Sequence, residues 1–346
     1  MMSNFQELAR LSSAILASEN VYTEVETAKA LSEFIHSVQS KLTQYVQKDN
    51  ETKVSGGIAL SSYDAALCLD DYIRTARFLK GTHAAIRQMI QSQASSAVNI
   101  LYAGCGPLGT LLLPLLPLFD SRQLDCVLLD INASSLESVQ KLLNALGLQA
   151  YSIKTIETDA TTYRKPENWP MNLLITETMF RALVREPQVS VTINLAGQLE
   201  PNGILIPESI NMDMVYTTFG DEPYLRNDLH AFDRGRIEAM TPYPNRQVKN
   251  RLFSINKELD FLKQVDQQSG DFRYTVHEMP VSFDLWPDIC VFTQIHIYGE
   301  QHLESAESYI TNPFCITNFY NLAGCKSFEL VYHFRDLPNW SHVIKQ

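Results

Sequence analysis

The stretch VNILYAGCGPLGTLLL at residues 98–113 constrains this chain more than any other. A short apolar run, containing Val98, Ile100, Leu101 and Tyr102, stops at Ala103-Gly104-Cys105-Gly106-Pro107-Leu108-Gly109. A second apolar run follows at once. This is the pattern of a buried strand, a glycine turn and the opening turns of a helix. Gly104 and Gly106 permit φ > 0 and let a ligand approach where a Cβ would collide. A helix beginning there would aim unpaired N–H groups and its positive dipole end at that ligand. A lone G-x-G-x-x-G also fits a loop that only reverses the chain, so its companions decide.

The first companion is the run at residues 124–131, which reads as a second buried parallel strand ending in Asp130. An acid at that point, about twenty residues past a glycine turn, is placed to accept hydrogen bonds from a ribose diol. Asn132 and Ser134 are positioned to cap a helix that Gly147 closes. Further strands at 150–156 and 171–175 lead into Thr158-Asp159-Ala160 and Thr176-Glu177. A helix at 187–200, the turn Glu200-Pro201-Asn202-Gly203 and a strand at 204–206 follow. Alternation of this kind predicts an α/β fold: a Rossmann-like, doubly wound parallel sheet with ligands at the carboxyl ends of its strands.

Flanking segments differ in texture. Residues 1–48 carry apolar side chains at three- and four-residue steps, with a break at 20–23, and read as two amphipathic helices without visible chemistry. Residues 60–95 read as helical, with Asp70 and Arg74 four apart as a surface ion pair and Tyr63 as core or as cover over a cofactor. Beyond Ser209 short β-branched segments predict a C-terminal β-rich, barrel-like region, with a charged insertion at about 221–265. The expected division is 1–58 as a helical appendage, 59–208 as the cofactor domain and 209–346 as the substrate domain.

Composition narrows the partners. A net charge of −11 on 346 residues argues against nucleic-acid binding and is compatible with a cationic substrate. Six scattered cysteines, with no C-x-x-C pair and no histidine at zinc-ligand spacing, fit a reducing compartment and give no metal site. The longest apolar run, 111–119, is short and holds Pro114 and Pro117, and no signal peptide is evident, so a cytoplasmic protein without a membrane span is expected. His36, His230, His277, His296 and His302 each read as structural.

Two cofactor classes share the glycine turn and the acid. A nicotinamide dinucleotide needs room for a pyrophosphate. S-adenosylmethionine needs the turn for its amino-acid end and a second acid for its adenine. Asp159, followed by Ala160, supplies that second acid, and with Gly104, Cys105, Gly106, Gly109 and Asp130 it favours S-adenosylmethionine. An oxidoreductase using NAD or NADP and a non-catalytic cofactor-binding module are the competing readings.

Several separate motifs resemble the protein arginine methyltransferases. Leu69-Asp70-Asp71-Tyr72-Ile73-Arg74-Thr75 resembles the segment preceding that family's core, and the resemblance implies that Arg74 clamps the cofactor's carboxylate. Residues 176–186, TETMFRALVRE, resemble its loop with two glutamates nine residues apart, implying catalytic roles for Glu177 and Glu186. Residues 200–207, EPNGILIP, resemble the turn and strand closing its Rossmann-like domain. The β-rich second half falls where the family has a β-barrel, and residues 221–265 where a dimerisation arm would give a homodimer. The sequence departs from the family at Tyr102, where an acid is expected, at Thr178 in place of a tryptophan, and at Thr317-Asn318-Phe319, which lacks the family's histidine. A small-molecule and a peptide acceptor both stay open.

The chemistry implied is in-line displacement of a methyl group from a sulfonium. A guanidinium nitrogen is a poor nucleophile because its lone pair is delocalised. Two carboxylates bracketing it would orient it, balance its charge and accept the released proton. Arg181 and Arg185 must then point away from a cationic acceptor. The bland alternative for Glu186 is to cap the helix that begins near Pro187.

Overall fold

The computed structural model describes residues 2–42, 50–92, 97–222, 225, 245–266, 268–274 and 276–345. Residues 223, 224 and 226–244 of the anticipated 221–265 insertion, with His230 among them, lie outside these ranges.

Two N-terminal helices, α1 (Asn4–Leu16) and α2 (Val21–Ser40), begin at reciprocal capping boxes built on Ser3 with Gln6 and on Asn20 with Thr23. The first helix ends at the C-cap Ala17, and Asn20 starts the next. The apolar stripe Leu8, Leu11 and Ile15 of α1 is buried, and α1 packs on α2 and on the 3-10 segment Leu113–Leu118. There the Ser12 hydroxyl donates to the Pro114 carbonyl at 2.5 Å. A short hairpin, β1 (Thr52–Val54) and β2 (Gly57–Ala59), precedes α3 (Ser62–Leu67) and the long α4 (Tyr72–Ser92).

The central sheet consists of β3 (Val98–Ala103), β4 (Leu124–Asp130), β5 (Ser152–Glu157), β6 (Met171–Thr176) and β7 (Leu199–Ile206), with α5 (Ala133–Leu146) and α6 (Gln188–Ala196) between them. Its order is β5-β4-β3-β6-β7, and every pairing is parallel. The chain moves outward from β3 to β5, then crosses to β6 on the other side of β3. That reversal opens a crevice at the carboxyl ends of β3 and β6. β4 and β6 are almost wholly buried, as their continuous apolar runs require, whereas the edge strand β5 is half exposed.

The remainder forms two antiparallel sheets. β8 (Ser209–Thr217) pairs with β9 (Gln247–Asn256) and with β12 (Asp288–Tyr298), and β12 also pairs with β13 (Gln301–Leu303) and β14 (Phe314–Asn318). The second sheet holds β10 (Phe272–Arg273), β11 (His277–Glu278), β15 (Ser327–His333) and β16 (Asn339–Lys345). Phe253 of the first sheet packs against Phe272 and Tyr332 of the second, at ring-centroid distances of 4.8 and 5.4 Å. No helix among the described residues is long and apolar enough to cross a membrane.

Three local expectations are corrected. The glycine turn does not open an α-helix: residues 105–112 continue as turns and lead into the 3-10 segment Leu113–Leu118, because Pro114 and Pro117 withdraw two backbone donors. Asn132 occupies the N-cap position of α5, but its side-chain amide donates to the Leu60 carbonyl instead of capping. Tyr63 is not core, being 40% exposed, and it stands outside the lining of the cavity at the carboxyl ends of the strands.

Candidate functional site

A cavity of about 860 Å³ lies at the carboxyl ends of β3, β4 and β6. Arg74, Gly104, Cys105, Gly106, Asp130, Asp159, Ala160, Glu177 and Glu186 all line it. Residues scattered over more than a hundred positions of sequence therefore share one wall. Gly109 lies outside the lining. Its φ of 55° serves the turn, where its carbonyl accepts from the Leu113 amide at 2.9 Å.

At the end of β3 the amides of Gly104 and Cys105 both donate to the Leu129 carbonyl, at 2.9 and 3.0 Å, folding the turn against β4. Gly104 has φ 69°, and a Cβ there would stand 2.4 Å from the Thr178 methyl, so the turn needs glycine twice over. The Asp130 carboxylate is buried and held at both ends. One oxygen accepts from the Gly106 amide and the other from the Asn132 amide, each at 2.9 Å. Such a carboxylate is oriented before any ligand arrives. Asp159 is steadied by the Thr161 amide and hydroxyl, at 2.8 and 2.7 Å. Tyr102 is buried in the same wall, and burial pushes its phenol up, so a neutral hydroxyl stands where the resembling family has an acid.

Arg74 and Glu177 form the electrostatic centre. Their side chains are 5% and 7% exposed and ion-paired to each other. A second guanidinium nitrogen of Arg74 donates to the Cys68 carbonyl at 2.8 Å, while its buried Nε has no partner among the described residues. An unsatisfied donor on a cavity-lining cation is a ready place for an anionic group. The expected Asp70–Arg74 pair does not form. Asp70 instead accepts from the Ser32 hydroxyl at 2.5 Å and faces His36 of α2, whose imidazole it raises. Asp71 positions Arg74: it accepts the Arg74 amide at 3.4 Å and binds the Ser308 hydroxyl and Tyr309 amide at 2.6 and 2.9 Å.

Glu186 is buried without a hydrogen bond to its carboxylate among those resolved, and burial pushes it up to about 7, against the pull of Arg74 and Arg185. It does not cap α6, where Pro187 holds the N-cap position without a side-chain bond. The loop presenting it is strained: Ala182, Leu183 and Arg185 have φ of 54°, 56° and 71°. Conformations of that kind cost about 1–3 kcal/mol each and persist only where the surroundings impose them. Here they do. Trp340 Nε1 donates to the Ala182 carbonyl at 2.9 Å, the Tyr332 hydroxyl to the Leu183 carbonyl at 2.7 Å, and the Arg185 amide to the Pro338 carbonyl at 2.7 Å. From the other side the Ile58 amide donates to the Arg185 carbonyl at 2.8 Å.

β2 can come this close only because Gly57 lacks a side chain. A Cβ there would lie 2.6 Å from the Pro187 nitrogen and 2.7 Å from the Glu186 carbonyl carbon. Gly57→Ala is expected to cost about 1–3 kcal/mol in denaturant unfolding. Gly197→Ala, with open space around it, is expected to change stability by less than about 0.5 kcal/mol.

No protein-family model matches the chain, and no curated protein sequence does. Solved structures are similar to it in overall architecture. A chain of the Trypanosoma brucei PRMT1 enzyme–prozyme heterotetrameric complex with AdoHcy covers 80% of this chain and 96% of its own, at 13% identity and a TM-score of 0.49. Arabidopsis thaliana protein arginine methyltransferase 10, in an open conformation, covers 82% and 98%, at 11% identity and a TM-score of 0.47. The structural similarity to protein arginine methyltransferases thus spans about four fifths of the chain at low sequence identity.

Five further residues contribute to the site without a motif to mark them. Gln188, buried at the start of α6, accepts from the Thr178 amide and hydroxyl at 2.8 and 3.1 Å and so fixes the backbone just after Glu177. Lys29 and Val54 bring the N-terminal segment into the lining, although that segment read as a passive appendage. Tyr309 and Ile310 line the cavity from the β-rich half, where only Thr317-Asn318-Phe319 drew attention; those three stand outside the lining. The available signal is the polar pair Gln188 and Thr192, four residues apart on the buried face of an apolar helix and hydrogen-bonded to each other at 3.2 Å. Of the loop arginines, Arg185 pairs with Glu51 at the surface and Arg181 lies over the Phe180 ring at 5.3 Å. His277, His296 and His302 lie outside the lining.

Proposed function

We propose that the chain is an S-adenosylmethionine-dependent methyltransferase acting on a guanidino or amine nitrogen, in an arginine-like small molecule or a peptide. The observation that carries this reading is the placement, in one cavity, of a pre-oriented Asp130 carboxylate, a buried Arg74 with an unpartnered donor, and the Glu177–Glu186 pair. The residues fit the cofactor. Asp130 would take its ribose hydroxyls, Arg74 its carboxylate, Asp159 its adenine amino group, and the Gly104–Gly106 turn its amino-acid end.

The bound cofactor supplies an electrophilic methyl group on a sulfonium. The chain does the rest. Seven carboxylate residues line the cavity (Asp64, Asp70, Asp71, Asp130, Asp159, Glu177, Glu186) against three cationic ones (Lys29, Arg74, Arg185), which favours a cationic acceptor. Glu177 orients the acceptor nitrogen, its own position set by Arg74 and by Gln188 through Thr178. Glu186, held near 7 by burial, is matched to taking up a proton at neutral pH.

Calorimetry against S-adenosylmethionine, S-adenosylhomocysteine, NAD and NADP tests the cofactor. Binding of the first two only is expected, and Asp130→Asn is expected to weaken it about tenfold to a hundredfold. Binding of a nicotinamide dinucleotide alone would refute the proposal. A second reading, a non-catalytic cofactor-binding module, draws support from the Arg74–Glu177 ion pair, which occupies one of the two glutamates. It requires that no acceptor turn over in a screen with a labelled methyl donor.

A further inference from the structure

Away from the cavity, Cys290 of β12 and Cys315 of β14 stand directly opposite each other in an antiparallel ladder. Opposed residues in such ladders have Cα atoms about 4.5–5.5 Å apart, within the roughly 4.4–6.8 Å that a disulfide spans. All six cysteines are free, and these two thiols are within hydrogen-bonding reach of each other. No other two cysteines are register partners among the described strands. We propose that Cys290 and Cys315 form a redox-active dithiol that a hydroperoxide closes to a cross-strand disulfide.

The two sulfurs differ in the way the reaction needs. Cys290 is fully buried between β8 and β14, while Cys315 is half-buried and open to a small oxidant. The hydrogen bond with Cys290 holds the Cys315 thiol below its ordinary range, whereas burial pushes Cys290 well up. The carboxylates of Asp288 and Glu222 oppose ionisation nearby, Asp288 acting on both thiols. Cys315 is therefore the attacking sulfur. Its thiolate breaks the O–O bond of the hydroperoxide, becoming a sulfenic acid and releasing an alcohol, or water from hydrogen peroxide. Cys290 gives up its proton, bonds to the Cys315 sulfur and expels the hydroxyl as water. Two thiols are oxidised by two electrons and one peroxide bond is reduced.

The test treats the full chain with hydrogen peroxide and follows intact mass and non-reducing peptide maps. Loss of two hydrogens, a Cys290–Cys315 linked peptide and reversal by dithiothreitol are expected. Cys315→Ser should abolish the linkage, while Cys68→Ser and Cys325→Ser should leave it intact. Cys290→Ser should leave a sulfenic acid on Cys315 that a cyclic 1,3-diketone traps. Should that variant not fold, the maps of the unsubstituted chain and of Cys315→Ser decide alone. Oxygen added at Cys315 without a linkage, a linkage through other cysteines, or no reaction would overturn the proposal.

Discussion

Glu177→Gln is expected to keep cofactor binding and to lose about a hundredfold to a thousandfold in turnover. The substitution preserves shape and one carbonyl acceptor for Arg74 but removes the charge that orients the acceptor nitrogen. The readouts are calorimetric affinity for S-adenosylhomocysteine and methyl transfer from labelled S-adenosylmethionine to arginine, agmatine and an arginine-containing peptide. Full activity in the variant would eliminate the two-carboxylate mechanism. Glu177→Ala goes further, because it strips the buried Arg74 guanidinium of its ionic partner while the Nε already lacks one. A loss of about 3–5 kcal/mol in unfolding free energy is expected for that variant, since one charge of a buried pair is then left uncompensated.

Glu186→Gln is expected to do the opposite to stability while also impairing turnover. Burial lifts this carboxyl from its ordinary 4.5 to about 7. Over the interval between those values the folded chain holds a proton that the unfolded chain releases. Folding stability is therefore full below about pH 4.5 and falls as pH rises to about 7, by roughly 3 kcal/mol in total. At pH 8 the neutral glutamine escapes that penalty, so the variant should melt several degrees higher than the parent chain. At pH 4 the two should melt together. If Glu186 is the proton acceptor, turnover of the parent should climb with pH through about 7, and the residual activity of the variant should not. Equal melting temperatures at pH 8 would show that Glu186 is not buried as a charge.

These two neighbours on one loop thus differ in kind. Glu177 is paired with a buried guanidinium, and Glu186 is a buried acid poised near neutrality. Nothing in TETMFRALVRE distinguishes them. The difference comes from Arg74 reaching one and not bonding the other, and Arg74 sits on a helix a hundred residues earlier in the chain.

The parallel sheet was legible because its signals are local. Apolar runs end at Gly104, Asp130 and Glu177, and the alternating edge strand β5 ends just before Asp159, so each of those side chains or turns falls at a strand's carboxyl end whatever else the chain does. The apolar run after the glycine turn has a helix's composition but not its backbone, because Pro114 and Pro117 remove the amides an α-helix there would need. Asp70 and Arg74 do not pair although they are four residues apart, because four-residue spacing favours contact only when neither partner has a better one, and Arg74 has Glu177.

By itself, then, the sequence determined the doubly wound sheet and the positions from which its site residues project, since strand periodicity and glycine turns act within a few residues. Tertiary structure alone decided how those residues are charged, paired and aimed. Trp340, Tyr332 and Pro338 impose a strained path on residues 182–185 from about 150 positions away, and Gly57 lets a hairpin close against Glu186. Burial and pairing depend on such distant contacts, and no local pattern encodes them.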